Sequence, residues 1–537
     1  MNRAISSKLK VAVVVPEKRF TTLGGLLWTQ RYGPLQVASK VRDAGYDVRL
    51  YNEELGLRAN PEELARACDV VGFSAKTSAL SRAEKLARSV KDRASRAGRV
   101  VVTVLGGEHA CMCGGTRVSE AFDFLLPGEA EEAFTSLLDL LDPLAPQDRP
   151  AASPPALERH CDARSFSNVP DLSLAEGYLE TVTSPLFRRA PFLWALKNRR
   201  LPMLNFQATR GCPYGCAFCP TPASLQGLHY RRRSLDSGLR FLEEHSARTG
   251  IRRVMFEDPT AAIPFDEDCR AFFQALARSP ARIKATALVR ADLSRDEELL
   301  KIMRAAGVSN LSIGIESLSD RTLDAFRKKS TFDMAKRSVD VFHRLGFSVT
   351  GLFIVGYDSD DPDSFSKIQD FIEETGIEKW RVSPITQMPE LSGEFMPAHR
   401  YFLWSEFEGF GEDLADYCNG EFVVFYPRYW KPSLLQKEIL RFNVESTSLA
   451  GVARLAGKDG KLRSALQRLG NNLAQRAVQR EVLSSRYIEM LQEAEEPFYV
   501  EHGGRMELQE ERLRERYANR SGVRGEAPGD SRRRSPP

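Results

Sequence analysis

Apolar and polar positions alternate in blocks over the first 140 residues, where short runs rich in valine and leucine are separated by amphipathic stretches. The apolar runs predict strands at VAVVVP (11–16), YDVRLYN (46–52), DVVGFSA (69–75) and RVVVTVLGG (99–107). Helical spacing follows in PLQVASKVRDAG (34–45) and SRAEKLARSVKDRASRAG (81–98). Strands that alternate with helices favour a doubly wound, Rossmann-like parallel sheet, which binds ligands beyond the carboxyl ends of its strands.

The same alternation returns between residue 201 and about residue 390. It predicts strands at MLNFQATRGC (203–212), RRVMFE (252–257), RIKATALV (282–289), VSNLSIGIE (308–316), SVTGLFIVGYD (348–358) and WRVSPIT (380–386). Helical patterns lie between them, the clearest at SLDSGLRFLEEHSA (234–247), DEDCRAFFQALA (266–277), SRDEELLKIMRAAG (294–307) and DSFSKIQDFIEETG (363–376). Six β/α units predict a partial parallel barrel, with its chemistry on the loops that follow the strands.

These patterns divide the chain into five segments. We expect a Rossmann-like domain at 1–141, a linker at 142–200, a barrel at 201–395, a mostly helical region that shapes the substrate site at 396–504, and a disordered tail at 505–537. The linker ends in a basic and aromatic stretch, LFRRAPFLWALKNRRL (186–201), whose composition suits either a membrane surface or packing between domains. Pro191 interrupts a long amphipathic helix, which favours packing between domains.

Composition narrows the class of protein further. The chain has 537 residues, 42% of them hydrophobic, and a formal net charge of +4 that is dispersed along the sequence. Dispersed basic residues do not indicate nucleic-acid binding. No apolar run reaches the roughly 20 residues that span a bilayer, and the N-terminal run is too short for a signal peptide. Nine cysteines, an odd number, favour the reducing cytoplasm over a disulfide scaffold.

Three of these cysteines form the most informative motif of the chain. Cys212, Cys216 and Cys219 lie in RGCPYGCAFCP, with C-x3-C-x2-C spacing in a loop broken by glycine and proline. Three thiolates this close can each bind one iron of a 4Fe-4S cluster and leave the fourth iron without a protein ligand. The alternative is a structural zinc site, which needs four ligands and a second Cys or His pair, and no such pair follows.

A predicted strand that runs into a C-x3-C-x2-C loop resembles the radical S-adenosylmethionine (SAM) enzymes. The resemblance implies a 4Fe-4S cluster whose open iron chelates the amino and carboxylate groups of SAM, and it places Phe218 near the adenine. The segments GIES (314–317) and GLFIVG (351–356) are similar to the ribose- and adenine-contacting segments of that family. Together with the charged strand ends, this gives the predicted SAM residues Phe218, Glu257, Arg290, Glu316, Ser317, Ile354 and Gly356.

Two departures from the family pattern affect these strand ends. Pro259 follows Glu257 and Asp258 where relatives often carry another acid, and PITQMPELSG (384–393) replaces the usual turn after the sixth strand. Each charged side chain also has an alternative role in a salt bridge at the rim of the barrel.

The order of segments before the barrel resembles the cobalamin-binding domain that precedes many radical SAM cores. The resemblance implies that cobalamin lies against the strand ends GFSAKTSA (72–79) and LGGEHA (105–110), which gives the predicted cobalamin residues Ser74, Thr77, Ser78, Gly106 and Gly107. The D-x-H-x-x-G signature that supplies an axial histidine to cobalt is absent, so His109 is not a predicted cobalt ligand. A domain that packs against the barrel without a cofactor is the alternative.

Cobalamin and the cluster in one chain imply a methyltransferase. In such enzymes one SAM methylates cob(I)alamin, and a second SAM yields the 5'-deoxyadenosyl radical that activates an unactivated carbon to receive the methyl group. The resemblance also implies an external electron donor such as flavodoxin or ferredoxin, and a small-molecule, lipid or peptide substrate. A non-methylating cyclase or rearrangement enzyme and a non-catalytic cobalamin-binding sensor stay open. A tRNA methylthiotransferase would need three further N-terminal cysteines in a suitable triplet, which the sequence lacks.

Overall fold

The structure is a computed structural model and describes residues 8–20, 27–112, 119–151, 169–184, 187, 201–221, 229–360, 363–386, 409–445, 482 and 486–502. The tail and most of the basic and aromatic linker stretch, 188–200, lie outside the described residues. So does most of PITQMPELSG, from residue 387 onward. No helix in the described part of the chain is long and apolar enough to cross a membrane.

The strands of the described residues form two parallel sheets and two short pairs. They are β1 (Lys10–Val15), β2 (Leu27–Trp28), β3 (Asp47–Asn52), β4 (Val70–Ser74), β5 (Val102–Gly106), β6 (Phe124–Leu125), β7 (Leu201–Pro202), β8 (Leu204–Phe206), β9 (Thr209–Arg210), β10 (Arg231–Arg232), β11 (Arg253–Phe256), β12 (Lys284–Val289), β13 (Val308–Glu316), β14 (Ser348–Val355) and β15 (Lys379–Pro384).

Most of the helices lie between these strands, as the hydrophobic spacing predicts, and the last three follow β15. They are α1 (Tyr32–Asp43), α2 (Pro61–Ala67), α3 (Leu80–Arg96), α4 (Glu108–Met112), α5 (Ala130–Leu141), α6 (Glu176–Thr183), α7 (Leu235–Thr249), α8 (Glu267–Arg278), α9 (Glu297–Ala305), α10 (Asp320–Ala325), α11 (Phe332–Arg344), α12 (Ser364–Thr375), α13 (Leu414–Tyr417), α14 (Pro432–Glu445) and α15 (Tyr487–His502). Polar caps begin several barrel helices: Ser234, Asp266 and Asp296 each accept a hydrogen bond from a backbone N–H of the first turn.

The N-terminal sheet has the strand order β3-β1-β4-β5-β6, with every pair parallel. Its central strands are apolar on both faces because helices cover both sides, and β1 is buried from Val11 to Val15. The chain order reverses between β1 and β4, so a crevice opens beyond their carboxyl ends. The predicted doubly wound sheet is confirmed, and this crevice is its expected ligand site.

The second sheet has the order β8-β11-β12-β13-β14-β15. All its strands are parallel, and they follow one another across the sheet in the order in which they occur along the chain. This is the predicted partial barrel of six β/α units. The single strand expected over 203–212 is divided: β8 ends at Phe206, and Thr209–Arg210 turn away to pair antiparallel with Arg231–Arg232. The division redirects the chain just before the first cysteine of the motif.

One hydrophobic core runs from the N-terminal sheet into the barrel, and a second lies on the other face of the N-terminal sheet. Tyr32, at the start of α1, packs its ring edge-on against Phe206 of β8 and Phe241 of α7 at centroid distances of 5.9 and 5.1 Å. Tyr178 of α6 stacks on His245 of α7. Helices α1 and α6 are therefore packed directly against the first strand and the first helix of the barrel.

The described part of the C-terminal region contacts both units. Ala415 belongs to the core of the N-terminal sheet, and Arg19, after β1, is bonded to Glu412. On the barrel side, Trp430 packs against Phe365 of α12 at 5.7 Å. These residues bridge the outer faces of the sheet and the barrel, which holds the two in a defined relative position.

Candidate functional site

The cysteine loop follows β9 and folds against the loop after α10. Cys216 is buried, whereas Cys212 and Cys219 are partly exposed. The backbone N–H of Cys219 donates to the carbonyl of Cys216 at 3.1 Å, and the N–H of Ala217 donates to the carbonyl of Phe326 at 2.9 Å. The first bond makes a tight turn between the last two cysteines, and the second fixes that turn to the barrel.

Arg290, at the end of β12, lies beside this loop. Its Nη1 is 3.8 Å from Cys216 Sγ, and its guanidinium lies over the Tyr214 ring at 3.7 Å from the centroid. Nη2 donates to the carbonyl of Lys328 at 2.6 Å, and the Tyr214 hydroxyl donates to Asp292 at 3.0 Å. A cation held by stacking and hydrogen bonds next to a thiol is placed to compensate the negative charge of bound thiolates.

Glu316 ends β13 in a strained backbone conformation, with φ at +66°. The register with β14 shifts between Gly314 and Glu316, which is the signature of a bulge. The bulge turns the carboxylate toward Lys328, whose Nζ donates to Oε1 at 2.7 Å, with both side chains nearly buried. Strained backbone of this kind clusters at functional sites, because packing must hold it in place.

Four other predicted SAM residues lie on two neighbouring strand ends and on the cysteine loop itself. Phe218 packs against Phe326 at a centroid distance of 4.9 Å and lies 5.7 Å from Lys328 Nζ. Ser317 follows Glu316 directly and is buried. Ile354 is half-buried on β14, and Gly356 follows that strand at φ +98°, where an added Cβ would contact Phe425.

Burial raises the pKa of the Cys212 and Cys219 thiols, and at Cys212 the nearby charges of Arg290 and Lys328 oppose that rise. No three His, Cys, Asp or Glu side chains in the described ranges are arranged to hold a metal ion. An iron–sulfur cluster instead binds each thiolate through a different iron. Three soft sulfur donors on one loop, beside two cations, match what an anionic iron–sulfur cluster requires.

A cavity of about 550 Å³ lies between the N-terminal sheet and the barrel. One wall is formed by strand ends of the sheet, at Val15, Ser74 and Gly107, and the other by inward-facing barrel residues such as Leu288 and Leu352. The cavity is therefore shared by the two units, at the switch point of the sheet and the mouth of the barrel.

The predicted cobalamin residues fall into three groups in the structure. Ser74 and Gly107 line the large cavity, and Gly106 lines a small pocket that also contains Ser74 and Gly107. Thr77 and Ser78 lie in a 3-10 turn over Thr77–Ala79, are almost fully buried, and do not line the large cavity. The Thr77 hydroxyl is 3.2 Å from His109 Nδ1, which indicates a role in packing the loop.

Gly107→Ala is expected to destabilise the protein more than Gly56→Ala. The two glycines have nearly the same left-handed backbone, with φ of +88° and +89°. A Cβ at Gly56 would meet no atom within 4 Å, whereas a Cβ at Gly107 would lie 2.8 Å from backbone atoms of Ala75. We expect about 1 to 2 kcal/mol for Gly56→Ala and about 2 to 5 kcal/mol for Gly107→Ala.

Urea unfolding followed by fluorescence measures this difference, with Gly56→Ala as the matched control for the backbone term. Equal unfolding midpoints for the two variants would show that the loop between β5 and α4 can move to accept a Cβ with no loss of stability. That result would contradict the close approach of Gly107 to Ala75.

Glu257 lies on the cavity wall rather than beside the cysteine loop. Its Oε1 accepts from Asn205 Nδ2 at 2.5 Å and lies 3.8 Å from Arg31 Nη1. Burial raises its pKa. The structure thus separates Glu257 from Arg290, Glu316 and Phe218, which surround the cysteines.

Several charged residues that line the cavity were not selected by the sequence analysis, among them Lys18, Arg31, Glu54, Lys76 and Glu108. Arg31 donates to Glu54 through two nitrogens at 2.5 and 3.0 Å, and Lys76 lies 3.3 Å from Glu108. Burial would raise the pKa of Glu54, but Arg31 outweighs it and the pKa falls to about 2. Most of these residues follow strand ends of the N-terminal sheet, and that position was the signal available in the sequence.

An ionic network joins the barrel to the N-terminal unit next to the cysteine loop. Arg210, two residues before Cys212, donates to Glu129 at 2.6 Å and to Glu131 at 2.5 Å. Arg231 also bonds to Glu129, and Gln36 of α1 accepts from Arg210 at 3.0 Å. These side chains are almost fully buried, so they fix the start of the cysteine loop relative to α5.

Comparison with known proteins adds to this geometry. Residues 206–372 match the Radical SAM superfamily. The chain is 27% identical over 252 residues to bacteriochlorophyllide d C-12(1)-methyltransferase of Chlorobaculum tepidum, a match that covers 44% of this chain and 54% of that enzyme. It is 26% identical over 313 residues to anaerobic magnesium-protoporphyrin IX monomethyl ester cyclase of Rubrivivax gelatinosus, covering 56% and 53%. The chain thus spans about half the length of these curated relatives.

A solved structure has the same fold over most of the chain. It is the radical S-adenosylmethionine methyltransferase TsrM from Kitasatospora setae, with cobalamin and a 4Fe-4S cluster bound. The TM-score is 0.55 at 14% identity, and the alignment covers 88% of this chain and 99% of TsrM. At this identity the likeness establishes the arrangement of a doubly wound sheet before a partial barrel.

Proposed function

Because residues 206–372 form a radical SAM domain, with the 4Fe-4S cluster and SAM as its cofactors, we propose that this protein is a cobalamin-dependent radical SAM methyltransferase. In this proposal residues 1–141 bind cobalamin, residues 201–395 bind the cluster and SAM, and residues 396–504 shape the substrate site. The substrate is a small molecule, lipid or peptide that receives a methyl group on an unactivated carbon.

One observation carries the proposal: a single cavity is lined by the strand ends of the doubly wound sheet and by the interior of the barrel. Ligands of such sheets lie beyond the carboxyl ends of their strands, and barrel chemistry takes place at the equivalent end of the barrel. The two ligand positions therefore face each other across one space. A methyl donor on the sheet and an activated substrate in the barrel could meet there without leaving the protein.

The cluster site is supported by the cysteine loop and its cations. Cys212, Cys216 and Cys219 would bind three irons, and Arg290 and Lys328 would compensate the negative charge of the thiolates. When bound, the cluster and SAM supply a 5'-deoxyadenosyl radical that removes hydrogen from carbon, and cobalamin supplies the methyl group. Glu316 and Ser317 lie beside the same loop and Phe218 belongs to it, and these are the residues we assign to SAM.

Cobalamin is assigned to the sheet side of the cavity. Small residues at Ser74, Gly106 and Gly107 leave the strand ends free of large side chains, which lets a flat ligand approach the backbone. Lys18, Arg31 and Lys76 extend over the same crevice and could donate hydrogen bonds to its polar periphery. The match to cobalamin therefore rests on the shape of the crevice and on its hydrogen-bond donors. No histidine ligand to cobalt is assigned.

The test is an anaerobic assay of the reconstituted protein with cobalamin, SAM and a reductant such as reduced flavodoxin. Mass spectrometry follows 5'-deoxyadenosine and S-adenosylhomocysteine together, with tetrapyrroles, lipids and peptides as candidate substrates. Radical methylation predicts both products in equal amounts. The same protein without cobalamin is the control and should form no S-adenosylhomocysteine.

Two other outcomes would each replace the proposal. Deoxyadenosine without S-adenosylhomocysteine, with a substrate consumed, would assign a cyclase or rearrangement, an alternative favoured by the cyclase among the relatives. Neither product, with cluster and cobalamin both verified in the protein, would indicate a cobalamin-binding sensor.

A further inference from the structure

The charged side chains that line the cavity are ion-paired, with one exception. Pairs form between Lys18 and Glu54, Arg31 and Glu54, Arg31 and Glu257, Lys76 and Glu108, Arg210 and Glu129, and Arg210 and Glu131. Asp258 is the charged lining residue with no ion pair to any of the described residues. It is also nearly inaccessible, with 2% of its surface exposed.

The two carboxylate oxygens of Asp258 have different surroundings. Oδ1 accepts hydrogen bonds from the backbone N–H of Thr209 and, at 2.6 Å, from the Thr209 hydroxyl. Oδ2 is buried and has no hydrogen-bond partner among the described residues. Burial raises the pKa of this carboxyl to about 7, although the bonds from Thr209, the backbone N–H of Ala208 and the charge of Arg232 oppose the rise. A buried acceptor without a partner is costly, and a ligand that donates a hydrogen bond would remove that cost.

A second unpartnered group lines the same cavity. The Tyr32 hydroxyl is buried and has no hydrogen-bond partner among the described residues. Contacts with Phe206 and Phe241 hold its ring, and the Arg233 guanidinium lies 5.1 Å from the ring centroid. Tyr32 therefore presents a fixed hydroxyl that can donate or accept.

The surroundings of these two groups define what they can bind. Met255, Leu288 and Leu352 give the barrel side of the cavity an apolar surface. Further carboxylates at Glu129, Glu131 and Glu257 line the cavity, and their partners are already engaged. An anionic ligand would meet repulsion there, whereas an apolar body with an amine or hydroxyl would find an apolar surface and an acceptor.

We propose that Asp258 and Tyr32 bind the polar head of the substrate, and that this head is a hydrogen-bond donor, an amine or a hydroxyl, on an apolar body. The proposal rests on the proposed function, since it takes the cavity as the substrate site, and it adds the chemical class of the substrate. Substrates that present only carboxylate or phosphate to the barrel side of the cavity are excluded by it.

The position of Asp258 favours the substrate over SAM as its ligand. Cys212 and Phe218 belong to the cluster loop and Arg290 and Glu316 lie beside it, and none of these four residues lines the cavity. Asp258 instead shares the cavity with Ser74 and Gly107 of the N-terminal sheet. Asp258 therefore belongs to the wall of the space between the two units, away from the cluster loop.

The test uses three probes that share one apolar body and differ in the head group: 4-phenylbutylamine, 4-phenylbutan-1-ol and 4-phenylbutyrate. Their dissociation constants are measured by saturation-transfer NMR on the full chain, reconstituted with cluster, cobalamin and SAM. For the native protein we expect the amine and the alcohol to bind on the order of tenfold more tightly than the carboxylate.

Asp258→Asn keeps an oxygen for the Thr209 bonds and replaces the open acceptor by a donor, so the preference for the amine should fall to about threefold or less. Tyr32→Phe should weaken the binding of the alcohol probe while the protein remains folded. Asp236→Asn makes the same change on the exposed face of α7 and is the matched control, with affinities as in the native protein.

Equal affinity of the native protein for all three probes would overturn the proposal, as would an unchanged amine preference in Asp258→Asn. A large loss of SAM affinity in Asp258→Asn with unchanged probe binding would assign the carboxylate to SAM instead. Failure of the proposed function is distinguishable, because it appears as absent deoxyadenosine and S-adenosylhomocysteine in the native protein, independently of the probes.

Discussion

Cys219→Ala should lose 5'-deoxyadenosine formation by on the order of a hundredfold or more, because the third iron would lack its only protein ligand. The loop contains no substitute: the next residue is Pro220, and the other described cysteines lie elsewhere in the fold. The same loss is expected for Cys212→Ala and Cys216→Ala. Iron content and visible absorbance of the anaerobically reconstituted protein measure the cluster, and mass spectrometry of SAM products measures the activity.

Cys68→Ala is the matched control for this change. Cys68 is a free, buried cysteine in the N-terminal unit, so its replacement removes a thiol without touching the loop. We expect full iron content and unchanged SAM cleavage in that variant. A Cys219→Ala protein that retains iron and cleaves SAM at the native rate would show that the loop does not hold the cluster.

The fold could be predicted from the sequence to within a few residues because its signals are local. VSNLSIGIE predicts the strand at 308–316, and β13 has those bounds. The helix predicted at 234–247 spans Leu235–Thr249. The break between β8 and β9 could not be predicted, since Thr209–Arg210 pair with two arginines, Arg231–Arg232, whose side chains carry no strand pattern.

The predicted site residues show how much of the site can be located from the positions of strand ends alone. Position after a strand located Arg290, Glu316 and Glu257 at the carboxyl end of the barrel, but it did not give their directions. Arg290 lies beside Cys216 because Tyr214 and the carbonyl of Lys328 hold its guanidinium. Glu257 faces the cavity because Asn205 and Arg31 attract its carboxylate.

The cavity itself could not be predicted from the sequence. Its walls come from segments far apart in the chain, and they meet only because the N-terminal sheet packs on the mouth of the barrel. Asp258 follows Glu257 directly, yet only the packed structure shows that one of its oxygens is left without a partner while neighbouring charges are paired. Tertiary packing, rather than local pattern, decides which strand-end residues share a ligand.

Arg210→Met should lower the free energy of unfolding by about 3 to 5 kcal/mol, because it leaves a buried carboxylate without its partner. Arg210 neutralises Glu131 and shares Glu129 with Arg231, so the substitution removes the ion pair of Glu131 with Arg210. The network joins the barrel to α5 immediately before the cysteine loop. We therefore also expect reduced cluster retention, measured as iron per chain, alongside urea unfolding followed by fluorescence.

The stability difference between the native protein and Arg210→Met should depend on pH. Burial would raise the pKa of Glu131, but Arg210 outweighs it and the pKa is lowered. A depressed carboxylate pKa contributes stability above its unfolded value of about 4.3, and that stability is lost as the pH falls. Without Arg210, burial alone would raise the pKa of Glu131. The native protein and Arg210→Met should therefore differ most above pH 5 or so and converge in acid.

Two further variants separate the ionic network from a general loss of packing. Arg240→Met removes an exposed arginine paired with Asp236, and it should cost less than about 0.5 kcal/mol. Adding Glu131→Gln to Arg210→Met removes the stranded charge, so the double variant should be more stable than Arg210→Met alone. A double variant that is less stable than either single one would show that Arg210 acts through its packed stem rather than its charge. In that case the cysteine loop would be positioned by shape, and conservative replacement by lysine would not restore iron retention.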